Sequence, residues 1–289
     1  MNKQLILSID AFDINYTSIN YALGIAEQFD LSILLYSVQY TPSPLHMANV
    51  DGYMHPYYGV ANLPEEIGEQ AEKNMQTLCR RVQRYWPDTD YECDRGFMAS
   101  TIVEKTRWLL QKADERNPFL LIVNNENEYN WWNEMLGTAE TSIAKRSPCP
   151  TLILPKDTDY RGFRQIMYLL DEQSLEAEKV PNIKWLSRFG KPFDASLAVA
   201  YLPETGEELS EKELDLKMAG IREQAGLQKF FYYQFPSENT AEDITKIAEI
   251  SHTDILALPY RSTPLFERIF DNDNTRTLIL KASTPVLVF

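Results

Sequence analysis

What most limits the fold of this chain is that one order of elements is written in it twice. The first pass opens with residues 4–10, QLILSID, a short apolar run closed by an acid, the pattern of a buried parallel strand. Ile19, Ala22, Leu23, Ala26 and Phe29 then recur at helical spacing, and residues 31–38 form a second apolar run. Ile67, Ala71, Met75, Leu78 and Val82 share one face of a second helix, which Pro87 stops. A short strand around residues 91–93 and a helix carrying Ile102, Val103, Thr106, Leu109, Leu110 and Ala113 follow. A fourth strand spans 119–124, and a helix ending near Lys145 leads through Pro150 into a fifth, TLIL. Such alternation predicts an α/β unit with a mostly parallel sheet.

The pattern then restarts. RQIMYLLD (164–171) is again a strand closed by an acid, and Ile183, Leu186 and Phe189 stand where Leu23, Ala26 and Phe29 stood. ASLAVAYL follows, then a helix opened by Ser210 and Glu213 in capping-box spacing, with Leu214, Met218 and Ile221 on one face. KFFYYQF, a helix at NTAEDITKIAEIS, TDILALPY and PVLVF complete the second pass. The later elements lie about 134 residues apart and Asp10 and Asp171 about 160, so the first copy holds an insertion of roughly 26 residues, from Tyr40 to Pro64. The division between copies falls in KDTDYRG, giving domains at 1–157 and 158–289.

A net charge of −14, with 42 acidic against 28 basic residues and no basic run, argues against nucleic acid and anionic membranes as partners. MNKQLILSIDAFD is too short in its apolar part, and too acidic, for a signal peptide, and no stretch is long and apolar enough to span a bilayer. A cytoplasmic location is the expectation. Cys79, Cys93 and Cys149 are odd in number and widely spaced, which predicts reduced, buried thiols rather than disulfides or a metal site.

The first copy ends GTAETSIAKRSPCPTLILP, a Gly-Thr, a short helix, a Pro-Cys-Pro corner and an apolar strand. Together with the acid closing strand one and the fourth strands FLLIVN and DILALPY, this resembles the universal stress protein family across essentially the whole chain, as a tandem pair. The resemblance implies two doubly wound five-stranded Rossmann-like sheets, like those of adenine nucleotide alpha-hydrolases. Ligands of such sheets lie at the carboxyl ends of the strands, where strand order reverses. ATP-binding members use a G-x-x-G-x(9)-G-[ST] loop there, whose glycines let backbone amides approach the phosphates.

Carried onto this chain, the resemblance assigns Asp10 and Val38 to the base side of the site. Asn124, Asn127 and Gly137 take the three glycine positions, followed by Thr138, so only the last pair matches. Asparagine tolerates positive φ, but its side chain intrudes on phosphate, and Glu126, Glu128 and Glu134 add like charge. In the second copy the same positions hold Leu258, Arg261 and Asp271, followed by Asn272, and no glycine remains. ATP or AMP binding is therefore an alternative for the first copy alone, and the second reads as a structural or partner-binding half.

The remaining motifs are open to more than one reading. Trp131 and Trp132 either pack a helix on the sheet or fill the volume of a ligand. The insertion, with Met47, Tyr53, Met54, Tyr57 and Tyr58, is either a lid, a partner surface or a loop packed on its own domain. His46, His55 and His252 fit neither a metal site nor an HxGH motif, and no Ser-Gly-Gly loop, P-loop or G-x-S-x-G elbow occurs. The expectation is a non-enzymatic, stress-related regulatory protein without a cofactor. Its apolar fifth strands are expected to cover each other in an intramolecular pseudo-dimer, with a homodimer also open.

Overall fold

The computed structural model describes residues 3–42, 63–98, 101–124, 143, 145–155, 158–171, 181–203, 208–226, 229–235, 241–258 and 284–289. They divide into two compact units between Cys149 and Pro150.

In the first unit β1 (Gln4–Ser8) leads to α1 (Tyr16–Phe29), β2 (Ser32–Pro42), α2 (Leu63–Val82), β3 (Thr89–Met98), α3 (Thr101–Arg116) and β4 (Leu120–Asn124). The strands run in the order β3-β2-β1-β4, with β1 parallel to both β2 and β4, and β2 parallel to β3. Leu5, Ile6 and Leu7 of β1, and Leu120 to Val123 of β4, are buried without alternation. Continuous burial means that both faces of this sheet are covered, as parallel strands require.

α1 begins where Asn15 caps it, its side chain accepting from the amides of Thr17 (2.9 Å) and Ser18 (3.4 Å). It ends at Asp30, whose left-handed φ of 52° turns the chain into β2. The buried stripe is Ser18, Ile19, Tyr21, Ala22, Ile25 and Ala26, so Leu23 of the expected face sits at its rim. β3 is longer than the short strand expected around residues 91–93. Its pairing with β2 continues through Tyr40↔Gly96 to Pro42↔Met98, so the first residues assigned to the insertion are strand. Backbone pairing carries that extension, and the charges and glycine of Asp94-Arg95-Gly96 hide it from an apolar pattern.

In the second unit β5 (Thr151–Leu154) precedes β6 (Gln165–Leu170), α4 (Pro181–Gly190), a 3-10 turn (Lys191–Phe193) and β7 (Ser196–Tyr201). Next come α5 (Glu211–Ala225), β8 (Phe230–Gln234), α6 (Ala241–Ile250), β9 (Ile255–Ala257) and β10 (Val286–Val288). Strands β8-β7-β6-β9-β10 run parallel in that order, repeating the winding of the first unit. The Ser210–Glu213 capping box is formed at α5, and Gly226 ends that helix at φ 63°. Phe163, Trp185, Phe189, Phe193 and Phe289 form one ring cluster, with Trp185 stacked on Phe189 at 4.9 Å and Phe289 edge-on to Trp185 at 5.4 Å.

β5 lies in the second unit because its partner is there. It pairs antiparallel with β10 through Ile153↔Val286, Leu152↔Leu287 and Thr151↔Val288, and all six of these residues are buried. Cys79, Cys93 and Cys149 are all free thiols; Cys79 and Cys149 are buried as expected, whereas Cys93, on the outer strand β3, is only partly covered.

Candidate functional site

In each unit the chain winds outward on one side of one strand, β1 or β6, and then returns to the other side. The order therefore reverses between β1 and β4, and again between β6 and β9. Crevices that take ligands in open α/β sheets lie at the carboxyl ends of such strand pairs. Asp10 and Asn124 stand at that place in the first unit, Asp171 and Leu258 in the second.

Around β1 the polar groups are bound mostly to each other. The Asp10 carboxylate accepts from the amides of Phe12 (2.8 Å) and Asp13 (3.4 Å), closing the turn that follows β1. Asn74 on α2 donates to the carbonyl of Ala11 at 3.0 Å and fixes that turn from outside. Ser18 donates to the carbonyl of Asn15 at 2.8 Å and receives the Asn124 amide at 3.4 Å. The Asn124 side-chain oxygen is buried and has no protein partner. A hydrogen-bond acceptor is thus left open beside the amino end of α1.

Val38 is buried within β2, level with the turn that follows β1, between Ser37 and Gln39, which bond to each other at 2.8 Å. Asp10 and Asn124 thus stand at the carboxyl ends of the adjacent strands β1 and β4, while Val38 lies inside β2, which runs on past it to Pro42. Asn127, Gly137, Thr138, Trp131, Trp132, His46 and His55 lie outside the described residues, as do Arg261, Asp271 and Asn272. Sequence reasoning passed over Asn15, Ser18 and Asn74. The Asn15 cap carried a signal, an Asn three residues before a buried Ser, but a cap alone marks only a helix start.

The second unit is closed where the first is polar. Leu258, at the place of Asn124, is fully buried, and its amide donates to the Leu287 carbonyl at 2.8 Å. Asp171, the residue after β6, is 3% exposed. Tyr168 shares a hydrogen bond with Asn182 at the start of α4; burial, with the charge of Asp171, raises its phenol well above the ordinary tyrosine value. Neither a metal-binding cluster of His, Cys, Asp or Glu nor a membrane-length apolar helix occurs among the described residues.

The sequence matches no protein-family model and no curated protein. Solved structures do match. A universal stress protein from Archaeoglobus fulgidus DSM 4304 is similar over 100% of this chain and 96% of its own, at 14% identity and a TM-score of 0.70. The chain has the universal stress protein fold. A second such structure, a putative universal stress protein from Pseudomonas aeruginosa UCBPP-PA14, aligns over 99% of this chain and 92% of its own, with 12% identity and a TM-score of 0.64. These universal stress proteins match along nearly their full lengths, so both passes of the sequence fall within the alignment. At such identities the likeness speaks for the fold.

Proposed function

We propose that this chain is a non-enzymatic regulatory protein of the universal stress protein kind, with two paired domains whose nucleotide loops have degenerated. The observation that carries this reading is the residue that ends β4 and the one just past β9. Asn124 and Leu258 put side chains where a phosphate-binding loop uses glycine so that its backbone can approach the ligand. Asp10 is engaged by its own turn, and Asp171 is buried. The further view, that the closing strands hold an intramolecular pseudo-dimer together, rests on the apolar character of TLIL and PVLVF. The stress-related role and the cytoplasmic setting follow the family likeness.

The second reading is an ATP or AMP sensor confined to the first unit. The open Asn124 oxygen favours it, because an exocyclic amine or a ribose hydroxyl is a donor of the kind that oxygen lacks. Calorimetric titration with Mg-ATP and with AMP separates the two. The first reading expects no binding heat up to several millimolar. Submillimolar binding abolished by Asp10→Ala would establish the sensor instead.

A further inference from the structure

The outer strands of the two parallel sheets are protected differently. β3 carries Asp90, Glu92 and Asp94, and Lys112 on α3 binds Glu92 at 2.6 Å and Asp94 at 3.4 Å. Charged side chains of this kind discourage pairing with another chain. β8, with the sequence FFYYQ, has no charged residue, and among the described residues it pairs with β7 alone. Phe231 is 60% exposed and Tyr232 38%.

Successive side chains of a strand point to opposite faces, and on β8 the two faces differ in chemistry. On one, the Tyr232 hydroxyl donates to Asp215 of α5 at 2.6 Å, and Glu211 of the same helix adds its charge nearby. On the other, the Tyr233 hydroxyl meets the Met167 sulfur at 3.1 Å, which leaves Phe231 as the open ring. Lys229, just before the strand, is held by Asp194 at 2.5 Å. The edge is therefore apolar on one face and acidic on the other.

We propose that β8 is a docking edge for an extended segment of a partner protein in which apolar and basic side chains alternate. Added alongside β8 as a further strand, the segment sets its apolar residues beside Phe231 and its Lys or Arg residues beside Asp215 and Glu211. Main-chain hydrogen bonds supply affinity in this mode and alternate side chains supply selection. A second copy of the chain is the poorer occupant. Antiparallel pairing of two β8 strands about Tyr232 would bring Asp215 and Glu211 towards their own copies, in a chain of net charge −14. The proposal extends the regulatory reading without depending on the state of the nucleotide crevice.

The test titrates the full chain against three labelled peptides, KVKVKVK, EVEVEVE and KKKKVVV, by fluorescence anisotropy at physiological salt. KVKVKVK is expected to bind with a micromolar Kd, about tenfold or more tighter than the other two. Phe231→Ser and Asp215→Asn should each weaken it about tenfold while circular dichroism and the thermal midpoint stay unchanged. Asp215→Asn, on the surface of a helix, keeps the test open should Phe231→Ser fold poorly. Equal binding of KKKKVVV, indifference to both variants, or no binding up to about 1 mM would overturn the proposal. So would a doubling of sedimenting mass that Phe231→Ser abolishes, which would give the edge to a second copy. The Mg-ATP titration is unaffected by any of these results, so the two readings fail separately.

Discussion

Asn124 and Asn15 stand close together at the head of α1 and differ in what their removal exposes. Asn15 satisfies two helix amides, so Asn15→Ala should cost about 1 kcal/mol in urea denaturation. Asn124 makes one long bond and keeps a buried oxygen without a protein partner, which already costs the fold about 1–3 kcal/mol. Asn124→Ala removes that burden together with the bond, and should change stability by less than Asn15→Ala does. The thiols offer a second check at this scale. Burial, reinforced by the charge of Asp90, pushes the Cys79 thiol up, and Cys149 is buried, whereas Cys93 is half-exposed on β3. Brief iodoacetamide treatment of the folded chain should label Cys93 first, as read by peptide mass spectrometry, and all three only after unfolding.

Among the elements, α3 and β3 are joined by charge as well as by packing. Lys112 lies between Glu92 and Asp94 and over the Tyr36 ring, whose hydroxyl donates to Asp94 at 2.8 Å; Arg116 also binds Glu92. These groups are only partly exposed, so Lys112→Met should cost about 1–2 kcal/mol, between the values for open and buried pairs. Burial opposes the lysine's charge, but the Glu92 hydrogen bond and the two acids outweigh it and raise its pKa. A raised pKa stabilises the fold fully below the ordinary lysine value, and the gain is lost as pH climbs through the raised one. The cost of Lys112→Met should therefore stay level from about pH 6 to 9 and shrink only in stronger base. Little of this could be read ahead. The repeat and the apolar runs made the strands themselves legible, because buried parallel strands write themselves as unbroken hydrophobic stretches, while their doubly wound arrangement came from the family resemblance. The full length of β3 was hidden, since pairing such as Tyr40↔Gly96 is made by backbone atoms. In the crevice, Asp10, Val38 and Asn124 could be named from the family resemblance, but Asn74 reaches Ala11 across 63 residues, a contact no local pattern announces.

For the molecule as a whole, the placement of β5 decides where the chain tolerates division. A fragment of residues 158–289 would leave β10 without the strand that covers it, while 150–289 would keep that strand. The longer fragment should show the higher thermal midpoint, since it alone keeps the β5–β10 pairing and the burial that goes with it. Equal midpoints would mean that β5 contributes little. Within the intact chain, Leu152→Ala and Leu287→Ala should each cost about 2–4 kcal/mol, and the double mutant should deviate from additivity by about 0.5 kcal/mol or more.

The pairing of β5 with β10 also sets a schedule for synthesis. A ribosome completes β5 first and then roughly 130 further residues before β10 exists, an interval on the order of ten seconds at usual elongation rates. Throughout that interval the TLIL strand has no β10 to meet, so the nascent chain carries an apolar edge waiting for its latest-made partner. Four residues is a short edge, which limits what it can capture in the meantime. Slowing translation through the second half should lengthen this exposure and raise the demand for chaperones, without altering any contact in the finished protein.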